Sequence, residues 1–161
     1  MSNYNKEKSQ IKIIAGFLDK LNEPYDYYDL DYGNGVIKPV LILTTEYNGI
    51  NFDVIASAQS AKGFEKDWLT IRCFIYDFSK LKINKANELF KLCLELNYII
   101  PETTFSVFQN RLFLEADMPL DINMDKFDFE LAGFDIGLQN LFLRIKDIGV
   151  KIDHTKGLSK K

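Results

Sequence analysis

An Asn-Gly dipeptide at residues 48 and 49 limits the folds open to this sequence more than any other feature. A two-residue type I′ turn needs a positive φ at both central positions, and Asn followed by Gly adopts it readily. Such a turn pairs Tyr47 with Ile50 in an antiparallel hairpin. Because side chains alternate across a strand, this register assigns every nearby side chain to one of two faces.

The two faces of the predicted hairpin differ in polarity. The apolar face, which we expect in the core, carries Leu41, Leu43, Thr45, Tyr47, Ile50, Phe52, Val54 and Ala56. The second face carries Val40, Ile42, Thr44, Glu46, Asn51, Asp53, Ile55 and Ser57. Ile42 and Ile55 are direct partners there, although a sheet face turned to water is normally polar. The second face is therefore a candidate binding surface.

Two further strands are predicted beside this hairpin. The Tyr- and Asp-rich residues 25–35 indicate an edge strand that leads into a glycine turn at 33–35. A strand is also predicted over residues 68–78, and it again has apolar residues on both of its faces. Its core face carries Leu69, Ile71, Cys73 and Ile75, and its other face carries Thr70, Arg72, Phe74, Tyr76 and Phe78.

A second hairpin is predicted around Gln109-Asn110, which joins a strand at 103–108 to one at 111–118 that ends at Pro119. Its core face carries Phe105, Val107, Leu112, Leu114, Ala116 and Met118. Arg111, Glu115 and Asp117 point the other way, which is the pattern of a half-buried hairpin.

Apolar residues at helical spacing predict the first two helices. The first helix covers residues 6–22 and stops before Pro24. The second covers residues 84–97, with Asn84 as its N-cap. Their apolar stripes are Ile11, Ile14, Leu18 and Leu21 in the first, and Ala86, Leu89, Cys93 and Leu96 in the second.

The last helix, predicted over residues 125–152, has apolar residues on two sides. A heptad seam runs along one side through Phe127, Leu131, Phe134, Leu138, Leu141, Ile145, Ile148 and Ile152. Nearly opposite lies a second set, Phe129, Ile136, Leu143 and Val150, spaced seven apart. One side can pack on the sheet. The other is covered either by another helix of this chain or by a partner chain.

The element order is helix, three or four strands, helix, two strands, helix. Strands gathered in antiparallel hairpins predict an α+β fold rather than a doubly wound sheet. The chain has 161 residues, one domain's length. We expect a single domain with an ordered core over 6–152 and a basic tail over 153–161.

Charge and composition disfavour several classes of partner. The net charge is −3, and residues 23–55 hold six acidic residues against Lys38 alone. Such a surface repels nucleic acid, whose binding needs Lys and Arg along the phosphates. No apolar run is long enough to span a membrane, and the first ten residues lack the apolar core of a secretory signal. We therefore expect a cytoplasmic protein.

Residues suited to catalysis or metal binding are sparse. The single histidine, His154, lies in the basic tail, whereas Cys73 and Cys93 fall on apolar faces and are expected to be buried. Two acidic runs, from Asp29 and from Asp121, lack the later ligands of a calcium loop and predict turns and helix caps instead. We therefore predict no catalytic centre, no metal and no cofactor.

The segment FSVFQNRLFLEADMPLD, residues 105–121, together with the long apolar helix after it, resembles the YbjN-type family, whose fold is that of type III secretion chaperones. The similarity covers residues 84–150 and includes the Asp-Met-Pro-Leu-Asp stretch at 117–121 and the Leu-Asn pair at 96–97. It implies an α-β-β-β-α-β-β-α domain, often dimeric, with a protein-binding or regulatory role. It implies no active site and supplies no functional residues.

The first functional hypothesis is therefore a non-enzymatic protein-interaction module that binds a partner protein or itself as a homodimer. The residues predicted to make the contact are Ile42, Ile55, Phe74, Tyr76, Phe129, Ile136, Leu143 and Val150. A second hypothesis is a small-ligand sensor with an aromatic pocket between sheet and helices. A third is an enzyme that uses the carboxylates of Glu115 and Asp117.

Overall fold

Six antiparallel strands form one sheet in the computed structural model, which describes residues 3–33, 35–59 and 67–152. The helices are α1 (Asn3–Leu21), α2 (Ile83–Ile99) and α3 (Met124–Ile145), followed by a 3₁₀ turn at Lys146–Ile148. The strands are β1 (Asp26–Asp31), β2 (Ile37–Tyr47), β3 (Ile50–Gln59), β4 (Trp68–Asp77), β5 (Thr104–Phe108) and β6 (Arg111–Pro119). This confirms the predicted α+β class.

The strands lie in the order β1-β2-β3-β4-β6-β5, and the first hairpin has the predicted register. Asn48 and Gly49 both have positive φ, 52° and 73°, and Tyr47 pairs with Ile50. Ile42 consequently lies opposite Ile55 on the second face, as predicted.

The Tyr- and Asp-rich segment forms a true strand, so four strands precede α2 rather than the three that the family resemblance implies. β1 pairs along its whole length with β2, from Asp26 opposite Ile42 to Asp31 opposite Ile37. The chain then turns where the Asp31 carboxylate accepts a hydrogen bond of 2.7 Å from the Gly33 N–H. The acidic run from Asp29 therefore serves a strand and a turn, as predicted.

The second hairpin also follows the prediction. Gln109 and Asn110 form its two-residue turn with positive φ, and β6 ends at Pro119. Val107 is an exception, because its side chain is exposed instead of buried. β5 is the last strand of the sheet, so the core does not extend beyond it.

A β-bulge in β4 corrects the predicted position of Tyr76. The register shifts between Phe74, which lies opposite Phe113, and Tyr76, which lies opposite the buried Leu112. A bulge places two residues of one strand against one of its partner, so the alternation of faces slips by one residue. Tyr76 therefore packs against the core instead of joining Phe74 on the second face, and Phe78 is buried as well.

All three helices pack on the face of the sheet that carries Leu41 and Leu43. The buried side of each helix belongs to one apolar core with that face, and α1 and α3 touch through Phe17 and Phe127, whose ring centroids are 5.7 Å apart. The Tyr27 side chain of β1 lies on the same side of the sheet, where its hydroxyl donates a hydrogen bond to the Lys8 carbonyl of α1. In the described part of the chain, no helix packs on the opposite face of the sheet.

Two helix ends differ from the prediction. α2 begins after Lys82, which makes no side-chain cap, so Asn84 lies inside the helix. α3 is capped by Asn123, whose side chain accepts a hydrogen bond from the Lys126 N–H. It ends at Ile145 instead of continuing to 152, because the chain reverses at Gly149 with a left-handed φ of 67°.

Gly137 sets the distance between α3 and the sheet. A Cβ added there would lie 2.5 Å from Cδ2 of Leu114, which is fully buried, so the Leu114 side chain or the helix would have to shift. Gly16 on α1 has no such neighbour within 4 Å. Gly137 and Gly16 are therefore a matched pair for measuring this close approach.

We predict that Gly137→Ala lowers the free energy of unfolding by on the order of 1 kcal/mol, because overpacking outweighs the gain in helix propensity. Gly16→Ala, the control, should raise it by up to about 1 kcal/mol. Urea unfolding of the two variants measures both changes. Equal stabilisation by both substitutions would contradict the close approach.

Candidate functional site

The second face of the sheet carries a partly exposed apolar cluster, which we call the open-face patch: Ile42, Ile55, Phe74 and Phe113. Ile42 and Ile55 are partners across β2 and β3, and the Phe74 and Phe113 rings lie 5.8 Å apart across β4 and β6. All four side chains are half-buried by their neighbours in the sheet. Three of the predicted residues therefore lie together on this face.

Charged residues separate the two halves of the open-face patch. Arg72 lies opposite Ile55 in the register, forms an ion pair with Glu115 and places its guanidinium 5.9 Å from the centroid of the Phe113 ring. Asp117 accepts a hydrogen bond of 2.6 Å from the Thr70 hydroxyl. Glu115 and Asp117 thus have structural partners on this face.

The same face is not exposed throughout. Val40, Ser57 and Thr70 are neighbours across three strands, and all three are buried. The patch is therefore bounded on this side, and the exposed apolar surface lies nearer to the Asn48-Gly49 turn.

A second surface, the helix stripe, consists of Phe129, Ile136 and Leu143 on α3. All three side chains are exposed, because the opposite side of α3 meets the sheet. Val150, predicted as the fourth member, is only 5% exposed, since the chain has left the helix and turned into the core at that point. The helix stripe and the open-face patch lie on opposite sides of the domain.

A third apolar surface lies where α2 meets β5, and the sequence prediction missed it. This α2–β5 corner comprises Leu94 and Tyr98 on α2 and Val107 and Phe108 on β5, where strand alternation directs Phe108 to the opposite face of the sheet from Val107. Tyr98 is 93% exposed, Leu94 71% and Phe108 65%. The available signal was that Leu94 and Tyr98 fall outside the apolar stripe of their own helix.

A cavity of about 230 Å³ lies between α3, β2, β3 and the residues after α1. Ligand sites usually measure about 300–1,000 Å³. Its lining consists of Glu23, Leu43, Thr44, Thr45, Val54, Asp128, Leu131, Ala132, Phe134 and Asp135. A single aromatic ring lines it, so this cavity is not the aromatic pocket that the ligand-sensor hypothesis requires.

The side chains considered for catalysis or metal binding mostly lie in surroundings that do not favour such chemistry. Both cysteines are buried, as predicted, and burial raises the pKa of the Cys93 thiol to about 12 and that of Cys73 still further above its usual range. Among the residues that the structure describes, no three His, Cys, Asp or Glu side chains come close enough to hold a metal ion. His154 lies outside the described residues.

A buried carboxyl on α3 is the most strongly perturbed acid in the described chain. Glu130 is buried against the turn between α2 and β5, where Thr103 donates to the Gly133 carbonyl of α3. Burial, with the hydrogen bond to Glu102 and the negative charge of that group, raises the pKa of Glu130 to about 7, and Lys126 opposes the shift. The buried Glu130 side chain is thus part of the α3 packing.

We predict that Glu130→Gln changes how stability depends on pH. The pKa of Glu130 lies above its ordinary value of 4.5, so the native state binds the extra proton and this contribution is lost as the pH rises through about 7. The variant should match the wild type at pH 4, below the ordinary pKa of the carboxyl, and melt at a higher temperature at pH 8. Exposed Glu88→Gln is the control. An equal offset at both pH values would contradict the prediction.

Comparison with known proteins does not assign a function to these surfaces. No protein-family model matches the chain, and no curated protein matches it in sequence. None of the helices in the described ranges combines the length and hydropathy that crossing a membrane requires.

Proposed function

We propose that this protein is a non-enzymatic interaction module, and that its open-face patch binds an apolar segment of a partner protein. The observation that supports this most directly is that three helices cover one face of the sheet while Ile42, Ile55, Phe74 and Phe113 remain partly exposed on the other. Partly exposed apolar side chains grouped on one surface of a folded domain are typical of interaction sites.

The binding energy would come from burial of this apolar surface. Each square ångström removed from water contributes about 25 cal/mol before the costs of association are subtracted. The ion pair of Arg72 with Glu115 crosses the patch, and Asp26 lies beside Ile42 at its edge. A partner segment with apolar residues flanked by a positive charge would complement this arrangement.

The resemblance to the YbjN-type family supports the same proposal. Chaperones with that fold bind extended segments of other proteins on hydrophobic patches. The two-hairpin, three-helix order of the chain agrees with the resemblance, apart from the additional strand β1. We propose a cytoplasmic location on the same basis.

We predict that Ile55→Asp lowers the affinity for an apolar peptide at least tenfold, because the added carboxylate must be desolvated in the interface. The fold should tolerate this change, since the new carboxylate lies beside Arg72 in the register. Peptides selected from a random display library on the wild-type chain provide the probe, and their affinity is measured by fluorescence anisotropy.

Leu143→Asp on the helix stripe is the matched control, because it places the same charge on the opposite side of the domain. It should change the affinity less than twofold. Failure to select any peptide would contradict the proposal, as would peptides whose binding survives Ile55→Asp.

A further inference from the structure

The turn between α2 and β5 has an unusual backbone conformation. Glu102 has a left-handed φ of 65°, which is uncommon for a residue other than glycine, asparagine or aspartate. The Thr103 N–H donates a hydrogen bond of 2.8 Å to the Pro101 carbonyl, so the bond encloses Glu102 alone. These are the features of the positive-φ form of the γ-turn, which is rare and strained. Such a conformation persists only where the surrounding structure holds it.

Helix α3 supplies the surroundings that hold this turn. Thr103 is buried, and its hydroxyl donates a hydrogen bond of 3.3 Å to the Gly133 carbonyl. A Cβ added to Gly133 would lie 3.0 Å from Cγ2 of Thr103 and 3.6 Å from Cβ of Glu102. The lack of a side chain at Gly133 thus allows the turn to lie directly against the helix backbone.

A pair of carboxyl groups joins the turn to the same side of α3. Glu130 lies three residues before Gly133, so the two are neighbours on the helix surface, and Glu130 is only 4% exposed. A hydrogen bond links its carboxyl to that of Glu102. An ionised carboxylate has no proton to donate, so this bond requires one of the two groups to be protonated. The charged groups that face Glu130 are Glu102 on the turn and Lys126 on α3 itself.

Loss of that proton acts on the turn in two ways. Repulsion between two carboxylates replaces the hydrogen bond, and Lys126 opposes only part of this effect. An ionised Glu130 also requires water, since a buried charge without a partner is costly. Because Glu130 is buried against the turn, hydration of its carboxylate requires the turn to move away from α3.

We propose that the turn from Pro101 to Thr103 is a proton-controlled latch on α3, closed while Glu130 and Glu102 share one proton and opened when that proton is lost. Opening releases the strained backbone of Glu102 and frees the connection between the end of α2 and the start of β5. The latch lies on the helical side of the sheet, opposite the open-face patch. It therefore adds a response to pH that is independent of the proposed function.

Linkage between protonation and opening gives the size of this response. In the closed latch the pKa of Glu130 is about 7, and hydration on opening returns it to the ordinary value of 4.5. The closed state thus binds the proton more tightly, and the equilibrium constant for opening rises about tenfold between pH 6 and pH 8. The latch is therefore more often open at the higher pH.

Amide hydrogen exchange of the full chain, followed by NMR, tests the latch at the Thr103 N–H. Each rate is expressed relative to the rate of an unfolded chain at the same pH, which removes the direct catalysis by base. We expect the protection of Thr103 to fall about tenfold from pH 6 to pH 8 in the wild type. In Glu130→Gln the side chain is neutral throughout, so the protection should change less than about twofold.

Asp128→Asn is the matched control, because Asp128 also lies on α3 but is exposed. It should retain the full change. The Ala56 N–H, in a buried part of β3, reports unfolding of the whole domain and should stay better protected than Thr103 at both pH values.

Three results would overturn the proposal. The first is a wild-type protection of Thr103 that does not depend on pH. The second is an equal change with pH in the wild type and in Glu130→Gln. The third is equal protection of Thr103 and Ala56, because exchange at the turn would then require unfolding of the whole domain rather than opening of the latch.

Discussion

Side chains alternate across a strand, and the Asn48-Gly49 turn determines through this alternation which residues of β2 and β3 meet the helices. With Tyr47 opposite Ile50, Leu41 and Leu43 point into the core. A slip of one residue would direct Ile42 and Ile55 inward and expose the present core. The register of one turn therefore fixes both the buried face and the open-face patch.

In the described part of the chain, the three helices pack on one side of the sheet, and the partly exposed apolar surfaces follow from this arrangement. α3 approaches closely enough at Gly137 for its seam to pack on β6 and β2, so its other side faces outward as the helix stripe. α2 lies at the β5 edge and bonds to it through Asn97. The open-face patch, the β5 edge and the core are consequently three separate regions of one domain.

Features with a local cause could be predicted from the sequence. Both hairpin turns have residues that tolerate positive φ, and the seam of α3 has regular spacing, so strand register and helix contacts were predictable. The β4 bulge was not predicted, because strict alternation was continued past Phe74, and Tyr76 was therefore placed on the wrong face. The end of α3 depends on the chain reversal at Gly149. The sequence prediction continued the helix past this residue and therefore placed Val150 on the exposed side of α3.

The α2–β5 corner could not be found from periodicity either. Whether a strand is an edge strand is a property of the whole sheet, and only the strand order shows that β5 has a single neighbour. The exposure of Val107 follows from that position, as does the pairing of Asn97 with Phe105.

Thiol labelling at residue 55 tests the one-sided covering of the sheet most directly. In Ile55→Cys, the introduced thiol lies at a half-buried position, so in the native protein it should react with a maleimide more slowly than in the unfolded chain but far faster than Cys73. The native thiols of Cys73 and Cys93 are buried and should react only upon unfolding. If the introduced thiol were as strongly protected as Cys73, this face would be covered, and the account would be contradicted.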